Sequence, residues 1–284
     1  MHAAHLAAAA YLFGPLLAGR RLFFRDLSAH YFPDYTFLGQ ALRSGVWPLW
    51  NPTSDGGAPF LYAYAPDLLL ALVGGAELTL GLGVLLHAWL ALSGASVLAR
   101  RLGCAPAGAW VAGAVFGLSG FVLSLVNLYA LFEAAAWAPW VLVAGLAALR
   151  APDARRLALL ALAVALQAST LGLEIVLQTM VMGLFLAPRG TLGRRRVLAV
   201  IGGAAALALL LLAPLLLGAR LLLAGTERSA GFAAAQALGF SVHPLLLVQH
   251  VWPRFLGDVH SYSDQGFWGQ PFFPEGYPYV IGLY

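Results

Sequence analysis

What most constrains this chain is its alternation of long apolar runs with short clusters of arginine. The apolar runs cover residues 3–19, 80–99, 106–126, 134–149, 157–173, 174–188 and 197–218. Between the later ones stand "ARRLG" (99–103), "RAPDARR" (150–156) and "PRGTLGRRR" (188–196), with nine arginines and a single acid, Asp153. Runs this apolar need lipid as part of their solvent, and a helix of roughly 20 residues crosses a bilayer. Charged residues make up only 10% of the chain, against about 25% in a soluble domain. The pattern predicts an all-α integral membrane protein with about seven transmembrane helices.

The arginine clusters also predict its orientation. Lys and Arg concentrate in cytoplasmic loops, so the three arginine-rich connections face the cytoplasm. Alternation through seven spans then puts the N-terminus on the same side. The loops at 20–79, 127–133, near 173 and at 219–276 face outward. The closing "YPYVIGLY" starts a further apolar run of eight residues. The reading is therefore one transmembrane domain over 1–284, cut off at the start of an eighth helix. A secretory signal peptide is the alternative for the first run. That run lacks a basic leading segment and is followed at once by charge, which favours a retained helix.

Several function classes are excluded. The net charge is +4, but the arginines sit between apolar runs, where topology signals belong, and no nucleic-acid partner is implied. Cys104 is the only cysteine, so neither an internal disulfide nor a cysteine metal cluster can form. The tripeptide "NPT" at Asn51 carries proline in the middle and is no glycosylation acceptor. Phosphate-binding glycine loops and the Gly-x-Ser-x-Gly elbow are missing.

The first outer loop, 20–79, is too long for a plain connector and reads as a functional platform. It opens with "FFRDLSAHYFPD", placing Asp26 and Asp34 just past the first apolar run, with Arg20, Arg21 and Arg25 beside them. A carboxylate at the bilayer edge can act as a base on a polar acceptor, and arginines there can bind phosphate. The plainer alternative is that Asp26 pairs with Arg25 or caps a helix. Tyr35, Leu38, Leu42 and Val46 mark one apolar face of a short interfacial helix, with Trp47 and Trp50 at headgroup depth. "PLWNPTSDGGAPF" reads as a tightly turned loop, and 65–77 as a second surface or re-entrant helix.

Other polar residues are weighed by their surroundings. Glu133 and Glu174 sit at outer ends of apolar runs and are candidates to line an outer cavity. Asn127 and Gln178 read as interhelical hydrogen-bond partners, and His87 as a packed neutral imidazole. Gly113 and Gly117 are spaced for close helix packing. In the last outer loop, Arg228 joins Arg220 and Arg254, and Arg254 suits either a lipid phosphate or a snorkelling role. Asp258, His260 and Asp264 match no metal spacing and read as a solvated loop.

The string "FFRDLSAHYFPDYTFLGQALRSGVWPLWNPTSDGGAPF" resembles the first outer loop of the YfhO-like family of bacterial membrane proteins. "ERSAGF", "HVWPRFLG" and "EGYPYVIGLY" are similar to later parts of that family. The resemblance implies a GT-C type glycosyltransferase architecture in the bacterial inner membrane. Such an enzyme moves a sugar, with inversion, from a polyprenyl-phosphate carrier to a lipid, polymer or protein acceptor at the outer face. It implies Asp26, in "RDL", as the base, with Asp34 as second choice. Tyr31, Trp50, Asn51 and Arg25, with Glu133, Glu174, Arg228 and Arg254, then become candidates for substrate binding. The departing phosphate would be stabilised by arginines or by a divalent cation, Mg2+ or Mn2+. The alternatives are a non-enzymatic transporter or flippase for lipid-linked saccharides, and an inactive scaffold fragment.

Overall fold

Apolar runs that cannot reach water close their own backbone hydrogen bonds as helices, and helices dominate this chain. The computed structural model describes residues 2–23, 26–54, 56–187 and 193–224, with scattered positions between 226 and 268. Arg25, Arg228, Arg254, Asp258, His260, Asp264 and the closing "EGYPYVIGLY" lie outside the described residues. The chain divides into two compact units, Met1–Leu221 and Leu222–Tyr284.

The first unit opens with α1 (His2–Leu17), a π-helical turn (Leu27–Tyr31) and α2 (Phe32–Arg43). A two-residue hairpin follows, pairing β1 (Trp50–Asn51) antiparallel with β2 (Ala58–Pro59). Next come α3 (Ala65–Arg101), α4 (Pro106–Gly117), α5 (Gly120–Ser124) and a 3-10 turn (Leu125–Asn127). Then follow α6 (Tyr129–Arg150), α7 (Ala154–Ser169), α8 (Leu173–Leu186) and α9 (Arg194–Leu223). In the second unit a 3-10 segment spans Pro244–His250, and the Phe255 ring packs between Trp252 and Trp268.

Four stretches are long and apolar enough to cross a membrane: Ala65–Arg101, Pro106–Asn127, Tyr129–Arg150 and Arg195–Leu223. The helices found at 3–19, 157–173 and 174–188 have 16, 16 and 14 residues. At 1.5 Å per residue that is roughly 21–24 Å, short of an apolar layer about 30 Å thick.

The segment 65–77, read as a surface or re-entrant helix, starts as a short helix that folds back along the chain after it, bringing the Tyr64 hydroxyl to 2.6 Å from His87 Nε2. It is the first arm of α3, set off by a break at Gly75, whose φ of 61° and ψ of −153° lie outside helical space. Only glycine holds that conformation cheaply. The break frees the carbonyls of Ala71 and Leu72, and the Arg43 guanidinium donates to them at 3.1 and 3.3 Å. α2 can lie against this bend because Gly39 has no side chain. A Cβ there would come within 3.0 Å of the Gly75 Cα.

The apolar face of α2 therefore packs on α3 instead of lying on lipid. Tyr35 and Leu38 are buried, while Val46 falls beyond the helix end and is exposed. Trp47 and Trp50 are exposed. α4 meets α3 through Gly113 and Gly117, where a Cβ on Gly117 would meet the Leu92 side chain at 2.7 Å. At the far end, Arg150 donates to the Arg101 carbonyl at 3.1 Å. Two of the arginine clusters thus share one end of the bundle. Asp153, the one acid among them, caps α7 by accepting from the Arg156 amide at 2.7 Å.

Candidate functional site

The carboxyl groups that matter converge away from the arginine-rich end, about 26 Å from Arg150 by the rise of α6 from Glu133. Proline at the start of α3 fixes its first turn, and that turn carries Asp67 inward to 1% exposure. Glu133 falls on the second turn of α6, because that helix begins at Tyr129. It is 2% exposed. Glu133 is thus a buried helical residue, which corrects its placement in an outer loop.

The two carboxyls lie within hydrogen-bond reach of each other. Tyr35 donates to Asp67 Oδ2. The Tyr129 hydroxyl lies within reach of Glu133, while donating to the Thr79 carbonyl at 3.2 Å. Asp67 Oδ1 and Glu133 Oε1 find no donor among the described residues.

His87 borders the pair, with Nε2 3.9 Å from Glu133 Oε1. Its Nδ1 faces the Gly83 carbonyl at 2.7 Å and must donate. Its Nε2 meets the Tyr64 hydroxyl at 2.6 Å, whose oxygen in turn accepts from Trp137 Nε1 at 2.7 Å. With Tyr64 giving its proton to Nε2 the ring is neutral, the form that complete burial favours. His87 is accordingly no counter-ion for the acids.

Above the pair lies a layer of tyrosines. Tyr31 stands edge-on to Tyr129 at 5.7 Å between ring centres, and Tyr35 edge-on to Tyr62 at 5.4 Å. The Tyr31 hydroxyl accepts from the Ala130 amide at 3.2 Å. Burial, and then the neighbouring Asp67, push the Tyr35 phenol well above the usual tyrosine range. The layer stays protonated and donates.

Asp34 belongs to this loop layer. Asn51 donates to its Oδ1 at 3.1 Å and Tyr62 to its Oδ2 at 3.2 Å. Asn51 also accepts from the amide and hydroxyl of Thr53 at 3.0 and 2.7 Å, which turns the hairpin. Trp50 stays outside the cluster, exposed, with its ring against Gly57.

Asp26 precedes the π-helical turn, half-buried, and makes no side-chain capping bond. Just before it, a groove of about 570 Å³ opens along the end of α1. Leu12, Phe13, Leu16, Phe23, Leu123 and Val126 wall it, and Arg20, Arg21 and Asn127 supply its polar edge. Arg21 is committed elsewhere. It pairs with Glu77 and lies 4.6 Å from the Phe32 ring centre. The Arg20 side chain has no partner among the described residues.

Sequence reasoning singled out Glu133 and, separately, Asp34 and Asn51, which the structure joins, but it missed Asp67. Glu174 lies exposed in the first turn of α8. Asn127 edges the groove, and the interhelical role given to Gln178 belongs to Gln167. That side chain donates to the Ala134 carbonyl at 2.9 Å and to Thr179 Oγ1 at 2.8 Å. No group of three or more His, Cys, Asp or Glu among the described residues could hold a metal ion. No protein family, curated protein or solved structure matches the chain.

Proposed function

We propose that this chain is a membrane glycosyltransferase of GT-C type that takes a sugar from a polyprenyl-phosphate carrier. The observation that carries the reading is the apolar groove with the unpartnered Arg20 at its edge, six residues before Asp26. An isoprenoid chain suits the walls, and its phosphate suits the guanidinium. The resemblance of the first loop to YfhO-like proteins supports the same assignment. In this reading seven spans cross a bacterial inner membrane, the N-terminus is cytoplasmic and the groove opens at the outer face.

The residues divide the work by their existing commitments. Asp34 is held by Asn51 and Tyr62, so it fixes the loop. Asp26, without a capping bond, is the base that takes the acceptor hydroxyl proton. The acceptor oxygen attacks the anomeric carbon, the bond to the lipid phosphate breaks, and the charge left on that phosphate is met by Arg20. The described residues do not fit a divalent cation, and no step is routed through one.

Transfer from a polyprenyl-phosphate sugar in proteoliposomes tests this. Asp26→Asn should cost about 100-fold or more in turnover with unchanged folding. Arg20→Ala should raise the donor concentration required. Wild-type turnover in Asp26→Asn removes that residue from the mechanism.

A second reading is favoured by one observation, the buried Asp67–Glu133 pair beside the break in α3. Buried acids and broken helices are hallmarks of transporters. Flipping of a fluorescent lipid-linked saccharide without any transfer would select it.

A further inference from the structure

We propose that Asp67 and Glu133 form a proton-binding site, in which the two carboxyl groups share one proton across the α3–α6 interface. The proposal does not depend on the transferase reading, because neither acid has a role in that chemistry.

The argument starts from charge. Two adjacent carboxylates cannot both stay ionised where no cation offsets them. Every titratable neighbour can be named. His87 of α3 is neutral by its hydrogen-bond roles. Tyr35 of α2, Tyr62 and Tyr64 before α3 and Tyr129 of α6 are phenols, as is Tyr31 in the π-helical turn, and the Tyr62 proton goes to Asp34. The nearest described arginine on the bend, Arg43, serves backbone carbonyls.

Next comes a count of donors. Tyr35 gives its proton to Asp67, and Tyr129 gives its own to the Thr79 carbonyl. The Tyr64 proton goes to His87. Tyr129, which also lies within reach of Glu133, has that one proton to share, and Glu133 Oε1 is buried without a donor. The contact between the acids is therefore a hydrogen bond only if one of them brings the hydrogen. A proton is also the one cation that needs no cavity and no further ligands.

Tyr35 makes Asp67 the better anion, so the proton resides on Glu133 and points at Asp67. Loss of it would set two bare charges against each other between α6 and the first arm of α3, about two turns before the break at Gly75. Proton uptake and release are thereby linked to how firmly that arm is held.

Infrared spectroscopy of the full chain in lipid reads this directly. Wild type at neutral pH should show the carbonyl stretch of a protonated carboxyl, slow to shift in D2O because the group is buried. Glu133→Gln and Asp67→Asn should each abolish it, since the new amide donates the missing hydrogen and leaves the surviving acid ionised. Wild type should lose stability as the pH rises from about 4, where the unfolded acid ionises, to the point where the folded pair releases its proton, and both variants should show less of this decline.

No such band in wild type overturns the proposal, as does a band surviving unchanged in Asp67→Asn, which would mean that Glu133 is protonated on its own. Should either variant fail to fold, titration of the wild-type band decides. A thermal stability that declines with rising pH and levels off where the band disappears supports the shared proton. Disappearance of the band with no such preceding decline overturns it.

Discussion

Tyr35 and Asp67, 32 residues apart, are joined by one fully buried hydrogen bond that ties the loop helix α2 to the first turn of α3. The bond orients Asp67 toward α6 and anchors the tyrosine layer from below. Removing the hydroxyl strands a buried acceptor, which costs about 1–3 kcal/mol. Tyr35→Phe should lower stability by that amount in detergent unfolding experiments, while Tyr62→Phe, at a half-buried position, should cost less.

The same phenol predicts an alkaline limit. Because Tyr35 is held well above the usual range in the folded protein, the folded state keeps its proton at a pH where the unfolded chain has lost it. Below about pH 10 both states are protonated and stability is unaffected. Above it the unfolded state gains, by about 1.4 kcal/mol per pH unit for one proton. Unfolding followed from pH 9 upward should show this decline, and Tyr35→Phe should flatten it.

Arg43 holds the break in α3. Arg43→Ala leaves the Ala71 and Leu72 carbonyls without that donor, at a cost of about 1 kcal/mol for so exposed a site. Hydrogen exchange should accelerate across residues 71–79 and stay unchanged near Arg101. A lysine at this position offers a point charge in place of a planar fork, and should restore only part of the protection.

Gly57 tests the hairpin. Its φ of 111° is unfavourable for any other residue, and a Cβ would lie 2.8 Å from the Trp50 ring. Gly57→Ala should therefore cost about 1–3 kcal/mol locally, seen as a change in Trp50 emission with the helical signal intact.

Gln167 and Gln178 give a paired test of helix packing. Gln167 bridges α7 to α6 and α8 while buried, and interhelical bonds of this kind average roughly 0.6 kcal/mol and reach about 1.7 in membranes. Gln167→Ala should fall in or somewhat above that range, the loss of packing included, and Gln178→Ala near zero.

Much of the architecture was legible in the sequence because helix formation follows from apolar length alone. The runs at 106–126, 134–149 and 197–218 each fall within an apolar stretch long enough to cross a membrane. The kink was not legible. Gly74–Gly75 interrupts an apolar run, but which glycine leaves helical space depends on Arg43 and Gly39 approaching from α2. Glu133 stood out as an acid in an apolar run.

Asp67 did not stand out, because "APD" is the ordinary start of a helix and an acid there normally faces water. Its burial comes from Tyr35 and Glu133, 32 and 66 positions away by number. The one available hint was the density of tyrosine in "YAYAPD", hydroxyls in search of an acceptor.

A guanidinium keeps its proton at every pH a cell meets. The elbow of α3, pinned by Arg43, is therefore indifferent to acidity, even though the arm it carries holds one of two acids that are not. Any movement set off by those acids must turn about a fixed corner, swinging the short arm as a lever while the long arm stays embedded.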